Sequence, residues 1–215
     1  MKVKIDKYLP PSKWGINSAK HLDFGCGYEP ARDPFLSDIK WGADILNQPA
    51  RPNYIRIDER GHVLCENDYF DTISAFDVIE HLSREGYPNI FITFMNEAHR
   101  ILKPNGILLC VTPAFPNATA FQDPTHVNII TDQTVHYFTG ENPGARNLGY
   151  GFVGKFELLK QYWTSPLIPI RNNNWNKRIS ILKILFAILQ KPKTFRQIIS
   201  NFTNPTHLVW VLRKV

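Results

Sequence analysis

Chemistry is concentrated at three places along the chain. In His21-Leu22-Asp23-Phe24-Gly25-Cys26-Gly27 two glycines follow a short apolar run, and Asp44 lies nineteen residues beyond Gly25. A glycine turn leaving a strand brings backbone N–H groups against a nucleotide-like ligand. An acid at the end of the next parallel strand can then accept hydrogen bonds from both hydroxyls of a ribose. A dinucleotide fingerprint would want a third glycine near position 30 opening a long helix, and Pro30 and Asp33-Pro34 stand there instead. The third place is Asp123-Pro124-Thr125-His126-Val127-Asn128. A histidine near its ordinary pKa in such a loop suits removal of a hydroxyl proton, and Asp123 could orient it or contact the substrate; a plain Asx-turn would look the same.

The elements that must position these groups follow from hydrophobic pattern. Strands are expected at 20–23, 40–45, 53–58, 70–76, 107–112, 156–162 and 207–212. Residues 28–39 are kept short or broken by Pro30 and Pro34. Between 88 and 102, Phe91, Phe94, Met95, Ala98 and Leu102 fall on one helical face, and Pro104-Asn105-Gly106 stops that helix. Strands spaced by crossovers in this rhythm argue for an α/β fold, a Rossmann-like doubly wound sheet of seven mainly parallel strands. A second helix is expected at 178–190, inside an insertion before the last strand.

A length of 215 residues suits one domain spanning 1–215, with a core at 20–113, substrate-side loops at 114–155 and the helical insertion at 166–205. Cys26, Cys65 and Cys110 are odd in number and lack metal-ligand spacing, so they read as reduced thiols of a cytoplasmic protein, and no metal ligand is assigned. The lead-in 1–20 has no apolar signal core, and no stretch approaches a membrane span. The net charge of +6 is unevenly spread: residues 166–215 hold nine basic residues and no acid, leaving three more acids than bases before them. The insertion is therefore a candidate contact for an anionic membrane or a second copy of the chain, packing on its own domain being the simpler reading.

Three separated segments together resemble the class I S-adenosylmethionine-dependent methyltransferases. Asp23-Phe24-Gly25-Cys26-Gly27 looks like the family's first motif, with Asp44 as its ribose-binding acid. Phe70 through Phe76 followed by Asp77-Val78-Ile79-Glu80-His81-Leu82 looks like the fourth-strand motif, and Leu102-Lys103-Pro104-Asn105-Gly106 like the turn into the fifth strand. Asn105 departs mildly from the usual glycine there. The segment 123–128 is similar to methyltransferases associated with bacterial surface-polysaccharide synthesis.

The resemblance implies S-adenosylmethionine as cofactor and methyl transfer to an oxygen of a sugar, polysaccharide-related or small-molecule acceptor. It implies cofactor contacts from Asp23 (beside the ligand's ammonium), Gly25, Cys26, Gly27, Asp44, Asp58 (towards the adenine amino group), Phe76 and Asp77. The catalytic candidates are His126, Asp123 and His81, with His136 and Tyr137 behind them. Structural readings stand beside several of these: Asp58 as an ordinary strand-end acid, Phe76 as core, Cys26 as a small hydrophobe, His81 as a hydrogen-bonded structural histidine. Two other classes remain. An RNA methyltransferase would use the basic segment on phosphates, although that segment lacks the aromatic interleaving that stacks bases. A non-catalytic interaction module would keep the fold alone.

Overall fold

The computed structural model describes residues 19–29, 31–35, 37–164 and 205–215. Seven strands form one sheet: β1 (Lys20–Phe24), β2 (Ile39–Asp44), β3 (Tyr54–Arg56), β4 (Phe70–Phe76), β5 (Leu102–Pro113), β6 (Phe156–Thr164) and β7 (His207–Lys214). Their spatial order is β3-β2-β1-β4-β5-β7-β6. The first five pair in parallel, and β7 runs antiparallel between β5 and β6. The order reverses between β1 and β4, and in such sheets a ligand crevice opens at the carboxyl ends of the strands flanking that switch.

Strand periodicity sorts the core into two layers. Leu22, Phe24, Ile73, Ala75, Leu108, Cys110, Leu208, Trp210 and Leu212 lie in the layer that includes the long helix. Phe76, Ile107, Leu109, Val111, Val209 and Val211 form the other, with Phe35. At the switch this second layer turns polar. His21 is paired with Thr72 and Asp23 with Ser74 across β1 and β4, and all four are buried.

The helix α1 (Ile90–Ile101) starts where Asn89 caps it, accepting a bond from the Ile92 N–H at 2.9 Å. Its buried Phe91, Phe94, Met95, Ala98 and Ile101 are the expected face moved by one residue at the end. His99 and Arg100 in the last turn suit the negative end of the helix dipole. A four-residue helix α2 (Thr119–Gln122), a 3-10 turn at Thr134–Tyr137 and a short α3 (Gly144–Asn147) follow β5.

Among the described residues the β1–β2, β2–β3 and β3–β4 connections hold no helix, and α1 is the helical crossover that joins β4 to β5. Two expectations need correction. The third strand stops at Arg56, because Ile57 bridges antiparallel to Val63 and the chain turns through 58–62. The segment 104–106 does not separate helix from strand; β5 begins at Leu102 and absorbs it as a register shift, with Asn105 at φ 64. The expected helix at 178–190 and the insertion around it lie outside the described residues, as does the lead-in 1–18. Among the described residues no helix is long and apolar enough to cross a membrane.

Candidate active site

The turn after β1 is shaped by a close approach. Gly25 sits at φ +74, and a Cβ on it would lie 2.3 Å from Cγ2 of Val78, so only glycine lets this turn pack on the segment leaving β4. The turn's N–H groups do not point outward, as its glycine pattern suggests they should. Gly25 and Cys26 donate to the Ala43 carbonyl oxygen at 2.7 and 3.2 Å, and Gly27 donates to Asp44 Oδ2 at 2.8 Å. A turn whose amides are spent internally is a poor cradle for pyrophosphate. It offers instead the Asp44 carboxylate and open space over Gly27, where an added Cβ would meet no atom within 4 Å.

Two arginines absent from the sequence-based set fasten this turn. Arg51 donates from Nη1 to the Gly27 carbonyl oxygen at 2.9 Å and from Nη2 to that of Glu29 at 2.6 Å. Its Nη1 also reaches Cys26 Sγ at 3.3 Å, and Cys26 packs under Gly42, where a Cβ would sit 2.7 Å from the sulfur. Cys26 thus contributes packing, and burial raises its thiol pKa. Arg32 holds the other side. Its backbone N–H and its Nε donate to Asp23 Oδ2 at 2.7 and 3.4 Å, Nη2 reaches the Phe76 carbonyl oxygen at 3.3 Å, and the guanidinium lies 4.6 Å from the Phe76 ring centroid.

Asp23 is therefore not open to a ligand. It is fully buried, its carboxylate holding Arg32 and accepting the Ser74 hydroxyl at 3.3 Å. Burial raises its pKa, against the opposing pull of Arg32. Beneath it His21 donates from Nε2 to the Arg32 carbonyl oxygen at 2.9 Å, so the neutral ring's Nδ1 accepts from Thr72 at 2.8 Å. Burial pulls His21 down to about 4, which keeps it neutral. Phe76 is core and Arg32 platform at once. Asp77 stands at φ 55 with its carboxylate 3.0 Å from Nε2 of His207 on β7. Asp58 closes its own turn, accepting the N–H groups of Arg60 and His62 at 2.9 and 2.8 Å. The small burial cost that would raise its pKa is outweighed by these bonds and the His62 ring, and the carboxyl is held low.

The acceptor-side candidates come together through a strap. The N–H groups of Val127 and Asn128 both donate to the Glu80 carbonyl oxygen, at 2.8 and 3.0 Å. The Asn128 amide donates to the carbonyl oxygens of Ile79 and Leu82 at 2.8 and 2.6 Å. Loop 123–128 is thereby tied to the turn after β4, and the rings of His81 and His126 meet edge to face at 4.7 Å. Thr125 donates its hydroxyl to Asp123 Oδ1 at 2.7 Å, so it accepts from Nδ1 of His81 at 2.9 Å. His126 donates from Nδ1 to the Ala120 carbonyl oxygen at 3.1 Å. Each Nε2 is left with its lone pair. Asp123 thus orients His81 through Thr125, and the Thr125 bonds hold its carboxyl low. Beside them Glu80, 1% exposed, accepts the Thr112 hydroxyl on Oε2 at 2.8 Å. His136 and Tyr137 lie in the 3-10 turn, with no bond to this cluster among the described residues.

The two halves touch: Val78, against Gly25, accepts the His81 N–H on its carbonyl oxygen at 2.9 Å. Several solved structures share the fold. An S-adenosylmethionine-dependent methyltransferase from Mesorhizobium loti superimposes with a TM-score of 0.51 at 14% identity, over 98% of this chain and 95% of that one. The cyclase SpnF gives 0.52 at 15% identity, over 99% of this chain and 80% of the other. A cyclase on this fold shows that the fold alone does not name the reaction. No curated protein matches the sequence. The model of the methyltransferase domain, however, matches residues 3–153, and the open space over Gly27, with the Asp44 carboxylate at its edge, leaves room for a nucleoside-type ligand. The chain belongs to the methyltransferase-domain family, and it is an S-adenosylmethionine-dependent methyltransferase.

Proposed function

We propose that the chain transfers a methyl group to a hydroxyl oxygen of a sugar, a polysaccharide-related molecule or another small polyhydroxylated acceptor. The observation that carries this is the contact chain Gly25–Val78–His81, which joins the turn after β1 to the segment bearing the paired His81 and His126 rings. In the reaction the acceptor oxygen attacks the sulfonium methyl in line, the C–S electron pair returns to sulfur, and the hydroxyl proton must leave. Asp44 would hold the ribose, and Arg32 and the Phe76 carbonyl oxygen would line the place of the methionine end. His126 and His81, the latter oriented by Asp123 through Thr125, would activate the hydroxyl. Exposed Phe115 and Phe121, ring centroids 6.4 Å apart, the latter within α2 next to the Ala120 that fixes His126, would offer apolar faces to sugar C–H groups.

Calorimetry and label transfer test this. Asp44→Ala should weaken S-adenosylmethionine binding by about 1.5–3 kcal/mol, and Gly25→Val should abolish it by driving a β-branched side chain into Val78. His126→Ala should leave cofactor affinity intact while cutting turnover by about 10²–10⁴. Incubation with methyl-labelled cofactor and separate pools of nucleotide sugars, oligosaccharides and RNA should place the label in the carbohydrate pools. Label in RNA alone would overturn the acceptor class, and a folded wild-type chain that ignores the cofactor would overturn the whole reading.

A further inference from the structure

We propose that Glu80, His81 and His126 bind a first-row divalent cation, and that this cation is what activates the acceptor hydroxyl. The inference rests on the methyl-transfer reading of the same site and replaces direct proton removal by the two imidazoles with proton loss from a cation-bound oxygen. One donor atom from each of the three residues lies within 4.8 Å of the other two. Donors held about 2.1 Å from one ion can be up to about 4.2 Å apart, so only a small inward movement is needed.

Donor directions support the same conclusion. Both Nδ1 atoms are committed as hydrogen donors, His81 to Thr125 and His126 to Ala120, which fixes both rings in the tautomer that leaves Nε2 as a ligand. The Thr125–Asp123 relay behind His81 is the kind of outer support that orients metal-bound imidazoles. Independent of the histidines, Oε1 of Glu80 is buried and has no hydrogen-bond partner among the described residues. A buried carboxylate oxygen without a donor is costly unless a charge completes it. The three donors also differ in exposure: Glu80 is buried, His126 intermediate and His81 exposed, which leaves the solvent side of the cluster open.

Two imidazoles and one carboxylate suit Zn²⁺, Fe²⁺, Co²⁺ or Mn²⁺ better than Mg²⁺, which favours an all-oxygen shell. Three protein donors leave coordination positions for the acceptor. An oxygen bound there has its hydroxyl pKa lowered, its proton passes to solvent water, and the resulting alkoxide takes the sulfonium methyl. A vicinal diol, which can fill two adjacent positions, is the acceptor chemistry this arrangement favours.

The test needs no turnover. The untagged full chain, stripped with a chelator, is titrated with Co²⁺ in the absence of cofactor and followed by visible absorption. One equivalent should bind, with d–d bands of imidazole–carboxylate ligation, and Zn²⁺ should displace it while Mg²⁺ at equal concentration should not. Glu80→Gln and His126→Ala should each weaken uptake at least tenfold, and Thr125→Val, which removes only the support behind His81, by about 10–100-fold. His81 and Thr125 are exposed, so His81→Gln and Thr125→Val keep the test decisive if Glu80→Gln loses its fold. No Co²⁺ uptake by the wild type, or uptake unchanged in the ligand variants, overturns the proposal. A chain that binds S-adenosylmethionine but not Co²⁺ sinks the cation alone. One that binds Co²⁺ but not S-adenosylmethionine sinks the methyl-transfer reading alone.

Discussion

Glu97 and Glu80 are both buried carboxylates, 7% and 1% exposed, and their surroundings are opposite. Glu97, on α1, is saturated: Arg100 donates from Nε to Oε1 at 2.8 Å and from Nη2 to Oε2 at 2.7 Å, and the Val63 N–H adds 2.9 Å. Arg100 goes on to the carbonyl oxygens of Val63 and Cys65, fastening loop 63–65 to the helix. Burial acts to raise Glu97, but these partners outweigh it and hold its carboxyl below the usual carboxylate value. Glu80 has one hydroxyl partner, and burial raises its carboxyl. The first arrangement is how a fold uses a buried charge to join two segments. The second leaves coordinating capacity unspent, next to two histidines in the same condition.

That contrast can be broken by measurement. The largest effect should come from Glu97→Ala, which strands both the Arg100 guanidinium and the Val63 N–H. Chemical denaturation should show a loss of about 3 kcal/mol, and a loss below about 1 kcal/mol would mean that loop 63–65 is held by something else. Next, Zn²⁺ at a hundredfold excess over its dissociation constant should add about 2.7 kcal/mol to the wild type and about 1.4 kcal/mol or less to Glu80→Gln. Glu80→Gln without metal should change stability by less than about 1 kcal/mol, since an amide still accepts from Thr112. A larger loss would make Glu80 structural, like Glu97. The smallest effect is in pH. Because the Glu97 carboxyl is held low in the folded state, its contribution is complete above the ordinary carboxylate value and fades as pH falls through the folded value. The stability gap between wild type and Glu97→Gln should therefore narrow between pH 5 and 3, by about 1 kcal/mol or less given the partial exposure of Arg100. A gap that widens on acidification would reverse the sign assigned to Glu97.

The strands are legible in the sequence because their segments are apolar or alternating, although β3 keeps only three residues of the expected 53–58, and α1 is legible because Phe91, Phe94, Met95 and Ala98 repeat at helical spacing. His81, His126 and Asp123 can be named one at a time. What cannot be read is who holds whom. Arg32 lies in a stretch that reads as broken chain, yet it meets Phe76 forty-four positions away. Asn128 stands within the motif quoted for its histidine, but its bonds to Ile79 and Leu82 exist only once β5 has brought the loop back. Glu80 is visible beside His81 in a segment leaving a central strand. Its orphaned oxygen is a property of burial, which no spacing of residues encodes. The glycine turn shows the converse limit: its composition announces a tight turn, while the direction of its N–H groups is set by Ala43 and Asp44.

The placement of β7 has a consequence for how the polypeptide matures. A ribosome delivers residues in order, but β6 emerges before β7, its neighbour in the sheet, and β7 must slot between β5 and β6. Until 207–214 arrive, the nascent chain carries an unpaired edge on β5 and a β6 with no ladder partner, the kind of surface that recruits chaperones. The turn after β1 belongs to strands made long before. His207, at the start of β7, reaches Asp77 only at this closing step. The chain therefore lays down the turn after β1 early in translation, and its His207–Asp77 contact comes late.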